Sequence, residues 1–532
     1  MDKSVLDSRM KFGSAEDDSQ VQSEIYRDCV FCESAGDFDL PDYLPEIRKL
    51  VRVSSRIIPA GRFIGGDRAD FGGSVAHTVV YTDPDGTLCA TSITSDYEIG
   101  VAIPKNEGRS VSAVSDSSVE SVTCRLIGPR RLSIRTRIRN QVRMECDLLL
   151  PCRPSAPEGS ALELLEAEES AMRFCSAQSG EITLTDTHRL DGSNPDAVKV
   201  IFCSAEVHIE DTSSLRDGVR CRGTAWCRAT VSDGGTPFSV TKRIPFEESI
   251  PCDADEGYHA VAHGTCSSMQ VTPVSSVGGG CELAFDVTVE LSATAVADLP
   301  FRSIADAFIP GMSTVCHRGQ FSPRKLCGAA IGNFSISGSS TREGDAAQAA
   351  SVIDTDGRIK SVRVIAERGR AVVTGECAVS ALLALPPSSS EGRVGFSSFE
   401  YDLPFRCELD THSRIDDDCI FDCRVGFLGA KSRIDGASLA TDAEICVSLI
   451  AHKSRPLCYL TSIEGSDETV GEHSNGRITV YYPTDSDSLW SVAKKYGVSR
   501  ASLAASNDLS EVSLRSSALP HSIDGISCLI IE

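Results

Sequence analysis

The sequence predicts a mainly β protein: three β-sandwich-like or barrel-like repeats, then a small C-terminal unit of strand, helix, helix and strand. Three observations carry this. Apolar residues alternate with polar ones at period two in several segments, as half-buried strands require. Two local markers recur at nearly one spacing along the chain. From Ile478 onward the apolar period becomes helical. The length of 532 residues is too great for one core and allows three or four domains. Hydrophobic residues at 41% and charged residues at 24% fit a folded chain rather than a disordered one.

The repeats are read from glycines and aromatics. The first has Val51, Val53 and Gly73, then Ser95-Asp96-Tyr97; the second has Val198, Val200 and Gly223, then Ile244-Pro245-Phe246. The third has Val362, Val364 and Gly375, then Leu403-Pro404-Phe405. The glycines lie 150 and 152 residues apart, and the aromatics 149 and 159. Within the repeats, Leu132, Ile134, Thr136 and Ile138 alternate with Ser133, Arg135, Arg137 and Arg139. Leu283, Phe285, Val287, Val289 and Leu291 alternate with Ala284, Asp286, Thr288 and Glu290, and Ile445, Val447 and Leu449 with Cys446, Ser448 and Ile450. Asp83-Pro84-Asp85-Gly86, Asp233-Gly234-Gly235, Gly278-Gly279-Gly280 and Pro386-Pro387-Ser388 supply turn chemistry.

The expected boundaries are an N-terminal extension over 1–36, a first repeat over 37–155, a helical connector and second repeat over 156–300, and a connector and third repeat over 301–464. A linker over 465–475 and the terminal unit over 476–532 complete the chain. The connector helix is expected at Pro157–Cys175, where Leu162, Leu165 and Met172 fall at helical spacing. Ser303–Phe308 reads as a short turn, and Ser335–Ala350 as a Gly/Ser/Ala-rich linker.

In the terminal unit, Ile478, Val480 and Tyr482 form a strand. Asp487 and Ser488 cap a helix ended by Gly497, with Leu489, Val492, Ala493 and Tyr496 on its apolar face. A second helix starts at Ser499, carries Leu503 and ends at Asn507; the last strand is Ile526–Ile531. Asp487-Ser488-Leu489-Trp490, Val492 to Val498, and Leu503 with Asn507 resemble the LysM family over about thirty residues. Ser486 stands where that family has glycine, and Leu509–Gly525 is longer than its usual second loop.

A second resemblance lies near the start. Asp37-Phe38-Asp39-Leu40-Pro41-Asp42-Tyr43-Leu44-Pro45-Glu46-Ile47-Arg48-Lys49-Leu50 is similar to a signature of clostridial sporulation proteins with SPOCS domains, and Asp306-Ala307-Phe308-Ile309-Pro310 looks like a recurring segment of theirs. Three such repeats with one C-terminal LysM resemble a family of spore-coat morphogenetic proteins. The resemblance implies a mother-cell scaffold at the forespore surface, and later in the coat. Its LysM unit would bind the ATPase of the coat basement layer, and its repeats would recruit other coat proteins. The alternative is binding of peptidoglycan or another GlcNAc-containing polysaccharide. The candidate binding residues are Tyr482, Asp487, Ser488, Leu489, Trp490, Asn507, Asp508 and Leu509.

No catalytic set is expected, and no cofactor. The chain has no Gly-rich phosphate loop, no HExxH and no GxSxG. His259 and His263, near Cys266, read as surface or packing residues on a strand, and Ile415-Asp416-Asp417-Asp418 as a solvated turn. Cys29 and Cys32 have zinc-ligand spacing, but no second pair matches them.

The formal net charge of −23 disfavours nucleic acid and anionic membranes as partners. Against it, Arg125 to Arg143 holds seven arginines on an expected strand whose outer face pairs with neighbouring Asp and Glu or meets an acidic partner. The N-terminus lacks the apolar run of a secretory leader, and no segment is long and apolar enough to span a membrane. The expected compartment is the cytosol, where the 22 cysteines serve mostly as reduced core residues.

Overall fold

The computed structural model describes residues 9–11, 19–105, 110–150, 161–191, 193–276, 280–387, 393–411, 413–466, 478–484, 487–509 and 527–531. It is mainly β, and every sheet is antiparallel. After β1 (Arg9–Lys11) the chain forms β2 (Ser19–Asp39), β3 (Lys49–Gly65), β4 (Arg68–Thr82), β5 (Leu88–Ala102), β6 (Val111–Gly128) and β7 (Arg131–Leu150). Then come β8 (Glu163–Gln178), β9 (Ile182–Leu190), β10 (Lys199–Leu215), β11 (Gly218–Ser232), β12 (Phe238–Pro251), β13 (His259–Ser275), β14 (Cys281–Phe308) and β15 (Ser313–Phe321). The third set is β16 (Arg324–Thr341), β17 (Ser351–Glu367), β18 (Arg370–Leu385), β19 (Gly395–Leu409), β20 (Ile420–Asp435), β21 (Ser438–Ser454) and β22 (Leu457–Ser466). The chain ends with β23 (Thr479–Tyr481), α1 (Leu489–Tyr496), α2 (Arg500–Ala505) and β24 (Leu529–Ile531).

One unit is built three times. A meander (β3-β4-β5, β10-β11-β12, β17-β18-β19) faces a second sheet whose central strand is β7, β14 or β21. The second sheet orders β2-β7-β6, then β13-β14 with β8 and β9, then β16-β21-β20. The expected alternations hold: Leu132, Ile134, Thr136 and Ile138, Leu283 to Leu291, and Ile445 to Leu449 all bury one face of these central strands. Ile450, on the opposite face of β21, is also buried, against Met172, Phe174 and Val296 of the second unit.

Several local readings change. The expected helix at Pro157–Cys175 is strand over its described part from Glu163, running to Gln178 along β14. Its residues are good helix formers, but the 28-residue β14 offers a row of open backbone groups, and pairing with them outweighs propensity. Ser303–Phe308, expected as a turn, is the end of β14 and pairs with Glu163 to Ala167. In the expected linker, Ser335–Thr341 pairs with Ser438–Glu444, and only Gly344–Gln348 forms a short 3-10 turn. The Gly278-Gly279 turn and residues 467–475 of the expected linker lie outside the described residues. The seven arginines occupy a hairpin rather than one strand: Arg125 lies on β6, Arg130 in the turn, and the rest on β7. Outward, Arg131 meets Asp37 at 3.3 Å and Arg135 approaches Glu33 at 3.9 Å, while Arg137 covers Phe31. Arg143 turns inward to Glu145 and Asp422.

The repeat markers have a steric cause. Gly73, Gly223 and Gly375 sit directly across from Tyr97, Phe246 and Phe405 on the neighbouring strand. Each ring lies over its glycine: a Cβ at Gly375 would sit 2.6 Å from Phe405 Cζ, and one at Gly223 would be 2.8 Å from Phe246 Cζ and overlap the His208 carbonyl oxygen. Because backbone cannot yield as a side-chain tip does, Gly223→Ala is expected to cost roughly 2–4 kcal/mol. Urea unfolding checks this, and a loss below about 0.5 kcal/mol would refute the packing argument.

The three units close in a ring. Strand β5 of the first touches β10 of the second, β12 of the second touches β17 of the third, and β19 of the third returns to β3 of the first. Each first strand carries a bulge at the same place, between Leu50 and Arg52, Val200 and Phe202, and Val352 and Asp354. Arg52, Phe202 and Asp354 pair with Val80, Thr230 and Leu382, so they are equivalent positions. They converge: Arg52 donates to Asp354 at 2.6 Å and lies over the Phe202 ring. Arg228 of the second unit contacts Asp354 and Asp356, each at 3.0 Å. Asp354 is therefore a fully buried carboxylate between two arginines from two other units. Nearby, burial pushes the Glu206 carboxyl up to about 7, with Arg56 opposing the shift. A raised folded-state pKa contributes stability that is complete at low pH and lost as pH rises from about 4.5 through 7. Between pH 5 and pH 8 the wild type is expected to lose more stability than Glu206→Gln, as unfolding midpoints at the two pH values will show.

Candidate functional site

The C-terminal module forms around two short capped helices. The Ser491 amide donates to Ser488 Oγ at 3.1 Å while the Ser488 amide donates to Ser491 Oγ at 2.9 Å, a reciprocal capping box. Gly497 closes α1 in the left-handed region at φ 66°, where a side chain would be strained. Ser499 Oγ accepts from the Ser502 amide and starts α2. The two strands pair through only three residues each, Thr479 to Tyr481 with Leu529 to Ile531. Leu489, Val492, Ala493, Leu503, Leu529 and Ile531 supply the small core.

The eight candidate residues fall into distinct places. Leu489 is core and Ser488 is the helix cap. Asp487 is a local brace: it accepts from the Thr484 amide at 2.8 Å and from the Tyr481 hydroxyl at 2.7 Å. Those bonds, the Thr484 amide first, hold its carboxyl below the usual carboxylate range. Asn507 stitches α2 to β24, donating to Leu503 O and Ile530 O and accepting from the Ile530 amide. Asp508 is exposed with φ 51°, and Leu509 is half-buried against the module core. Tyr482 stands in solvent at 72% exposure.

Trp490 faces inward, onto the second unit. Its Nε1 donates to Asp306 Oδ2 at 2.9 Å, and its ring meets Phe308 edge-on at 5.0 Å. Lys494 donates to both Asp306 oxygens at 2.7 Å. Arg500 pairs with Glu163 at 2.8 Å and lies over the indole. The Gly311 amide closes the contact on Gly497 O at 2.7 Å. Burial pushes the Asp306 carboxyl up, but the bonds from Lys494 and Trp490 outweigh it and hold it below its ordinary value. The seat is thus the paired end of β8 and β14 with the turn that follows. The same Asp306–Pro310 segment stands out in the sequence, but its link to Trp490 spans 184 residues and has no local signal.

With α1 and α2 seated, the opposite face of the two-stranded sheet stays open. Ile478, Val480, Tyr482 and Ile530 are all exposed there, and Val480 pairs directly with Ile530. Ile478 and Val480 read as strand residues in the sequence, with no sign of which face would be covered. Ile530 belongs to the expected last strand and is absent from the candidate set.

Elsewhere the three units line a half-open pocket of about 410 Å³, with Arg27, Arg143, His263, Asp422 and Arg424 among its walls. Its charges are cross-paired: Asp422 binds Arg27 and Arg143, and Arg424 meets Asp116 at 3.0 Å. Burial, reinforced by Arg424, pushes the His263 titration well below its ordinary value. His77 does sit within hydrogen-bond reach of Ser55, at 2.7 Å, a nucleophile-and-base spacing. It is fully buried, and that burial pushes its titration down to about 4. Cys29 and Cys32, three residues apart on β2, project to opposite faces, one exposed and one half-buried. Among the described residues, no group of three or more His, Cys, Asp or Glu is arranged to hold a metal ion, and no helix is long and apolar enough to cross a membrane.

No known family, curated protein or solved structure matches this chain.

Proposed function

We propose that the protein is a non-enzymatic scaffold of spore-coat assembly, similar to the SipL-like morphogenetic proteins. In this reading the C-terminal module is a LysM unit that binds the coat basement-layer ATPase at the forespore surface, inside the mother cell. The three β units recruit other coat proteins. The observation that carries the reading is the division of the module into a seated face and an open one. Its helical face is spent on Asp306, Phe308 and Glu163, while Ile478, Val480, Tyr482 and Ile530 leave an apolar and aromatic face for a partner. The motifs at 37–50 and 487–507 support the family resemblance.

The rival reading, binding of GlcNAc-containing polysaccharide, draws less support. Of the residues a sugar platform would draw on, Trp490 and Asn507 have committed their indole and amide groups within the chain, which leaves Tyr482 as the exposed aromatic of the candidate set. Val480→Asp, at a half-exposed position, is expected to weaken ATPase binding at least tenfold (about 1.4 kcal/mol) while leaving hydrogen exchange of the α1 amides unchanged. Equal binding by wild type and variant would sink the assignment of this face. Retention on purified peptidoglycan would instead favour the rival.

A further inference from the structure

The loop between β2 and β3 is built as a rigid mount for one aromatic side chain. Leu40 and Ile47 anchor its ends in the core. The Leu40 amide donates to Arg130 O at 2.8 Å, and the Ile47 amide donates to Pro129 O at 2.7 Å. Arg130, in the β6–β7 turn, returns two bonds from its guanidinium, to Pro41 O at 2.8 Å and Leu44 O at 2.9 Å. The Leu44 amide closes onto Pro41 O at 2.9 Å, and the Tyr81 hydroxyl donates to Pro45 O at 3.3 Å. Pro41 and Pro45 fix two φ angles and remove two donors that would otherwise need partners.

At the centre of this clamp Tyr43 is 84% exposed, the most exposed large hydrophobic side chain among the described residues. A loop held only to bury its own surface would fold that ring down. The corresponding loop of the third unit does so: Arg342 binds Ala346 O and Ala349 O, and both alanines are buried. The same device, an arginine gripping loop carbonyls, lays two alanines flat in one unit and raises a tyrosine in the other. Ile127 and Leu126, on the hairpin that carries Arg130, are also exposed, and Asp42 and Glu46 flank Tyr43 in solvent. Arg48, the nearest base within the loop, is turned to Pro84 O.

We propose that this loop is a pre-organised recognition surface for a protein partner bearing an apolar pocket rimmed by lysine or arginine. Because the loop is already ordered, docking incurs little further entropy loss. Tyrosine offers a large contact area with few rotatable bonds, and the acidic flank of an acidic chain steers toward a basic rim. The proposal rests on reading the β units as recruiters, and it is independent of the C-terminal module.

The test uses the full chain with Tyr43→p-benzoylphenylalanine, photo-cross-linked in the cells that make the protein. The expected result is one dominant adduct to a different protein, joined at a segment that mass spectrometry shows to be apolar and basic. Its yield should fall at least fivefold when Asp42→Lys and Glu46→Lys are added. It should persist in the full chain carrying Val480→Asp, which separates this surface from the ATPase-binding reading. No adduct, an adduct only to a second copy of the chain, or an adduct indifferent to the charge reversals would overturn the proposal. Tyr43→Ala should leave the thermal midpoint unchanged; a clear drop would show that the ring is structural, and would also overturn it.

Discussion

Asp354→Ala is expected to destabilise the protein by roughly 3–5 kcal/mol. The carboxylate is fully buried and bound by Arg52 of the first unit and Arg228 of the second. Removing it leaves the buried Arg52 guanidinium without its carboxylate and Arg228 with Asp356 alone, and the cost of an unpaired buried charge exceeds the worth of any one bond. Asp354→Asn should recover little, because an amide can accept from arginine but brings no charge. Unfolding in urea, followed by tryptophan and far-UV signals, measures the loss. A cost below 1 kcal/mol would mean that the ring is held by its apolar seams alone. Those seams are real: Val51, Val80, Ile353, Leu382 and Phe396 form one apolar cluster between the first and third units. If Asp354 proves dispensable, that cluster is where the stability lies.

Trp490→Ala should release the C-terminal module from its seat at a cost of about 3–5 kcal/mol, the usual range for emptying a large aromatic site. The indole is 6% exposed, packs on Phe308 and donates to Asp306. The loss falls on the module alone, so a whole-chain melting curve is the wrong probe. Hydrogen exchange of the α1 amides reads it directly: they should exchange faster while the central strands β7, β14 and β21 stay protected. Unchanged α1 protection would show that Trp490 contributes no docking energy. The seat also carries a pH signature. Because the Asp306 carboxyl is held below its ordinary value, its contribution is complete above about pH 4 and is lost as pH falls further. Acidification should therefore mimic the substitution in wild type and have little additional effect in Asp306→Asn.

The two substitutions probe what local reading saw least. Strand alternation was legible on β7, β14 and β21 because one face of each is buried and the other is not, the condition under which period two appears in sequence. The glycine and aromatic markers were legible because a cross-strand ring over a glycine leaves no room for a side chain at each recurrence. The helical reading of Pro157–Cys175 failed for the opposite reason: its partner strand ends more than 120 residues later, and no window contains both.

Within the candidate module, the caps and core could be read at short range. Ser488, Gly497, Ser499, Leu489 and Leu503 perform local tasks, and local chemistry specifies them. The exposure of Ile478, Val480 and Ile530 could not be read, because apolar strand residues look alike whether a sheet face is covered or open. The three-fold recurrence, the alternation on β7, β14 and β21 and the capped helices at the end are legible in the sequence, since each rests on contacts between residues close in the chain or repeated along it. The closing of the units in a ring on Asp354, the commitment of Trp490 to Asp306 and the lifting of Tyr43 into solvent by Arg130 emerge in three dimensions alone. Those outcomes depend on groups tens to hundreds of residues apart, and on which faces are left uncovered once every backbone donor and buried charge has found its partner.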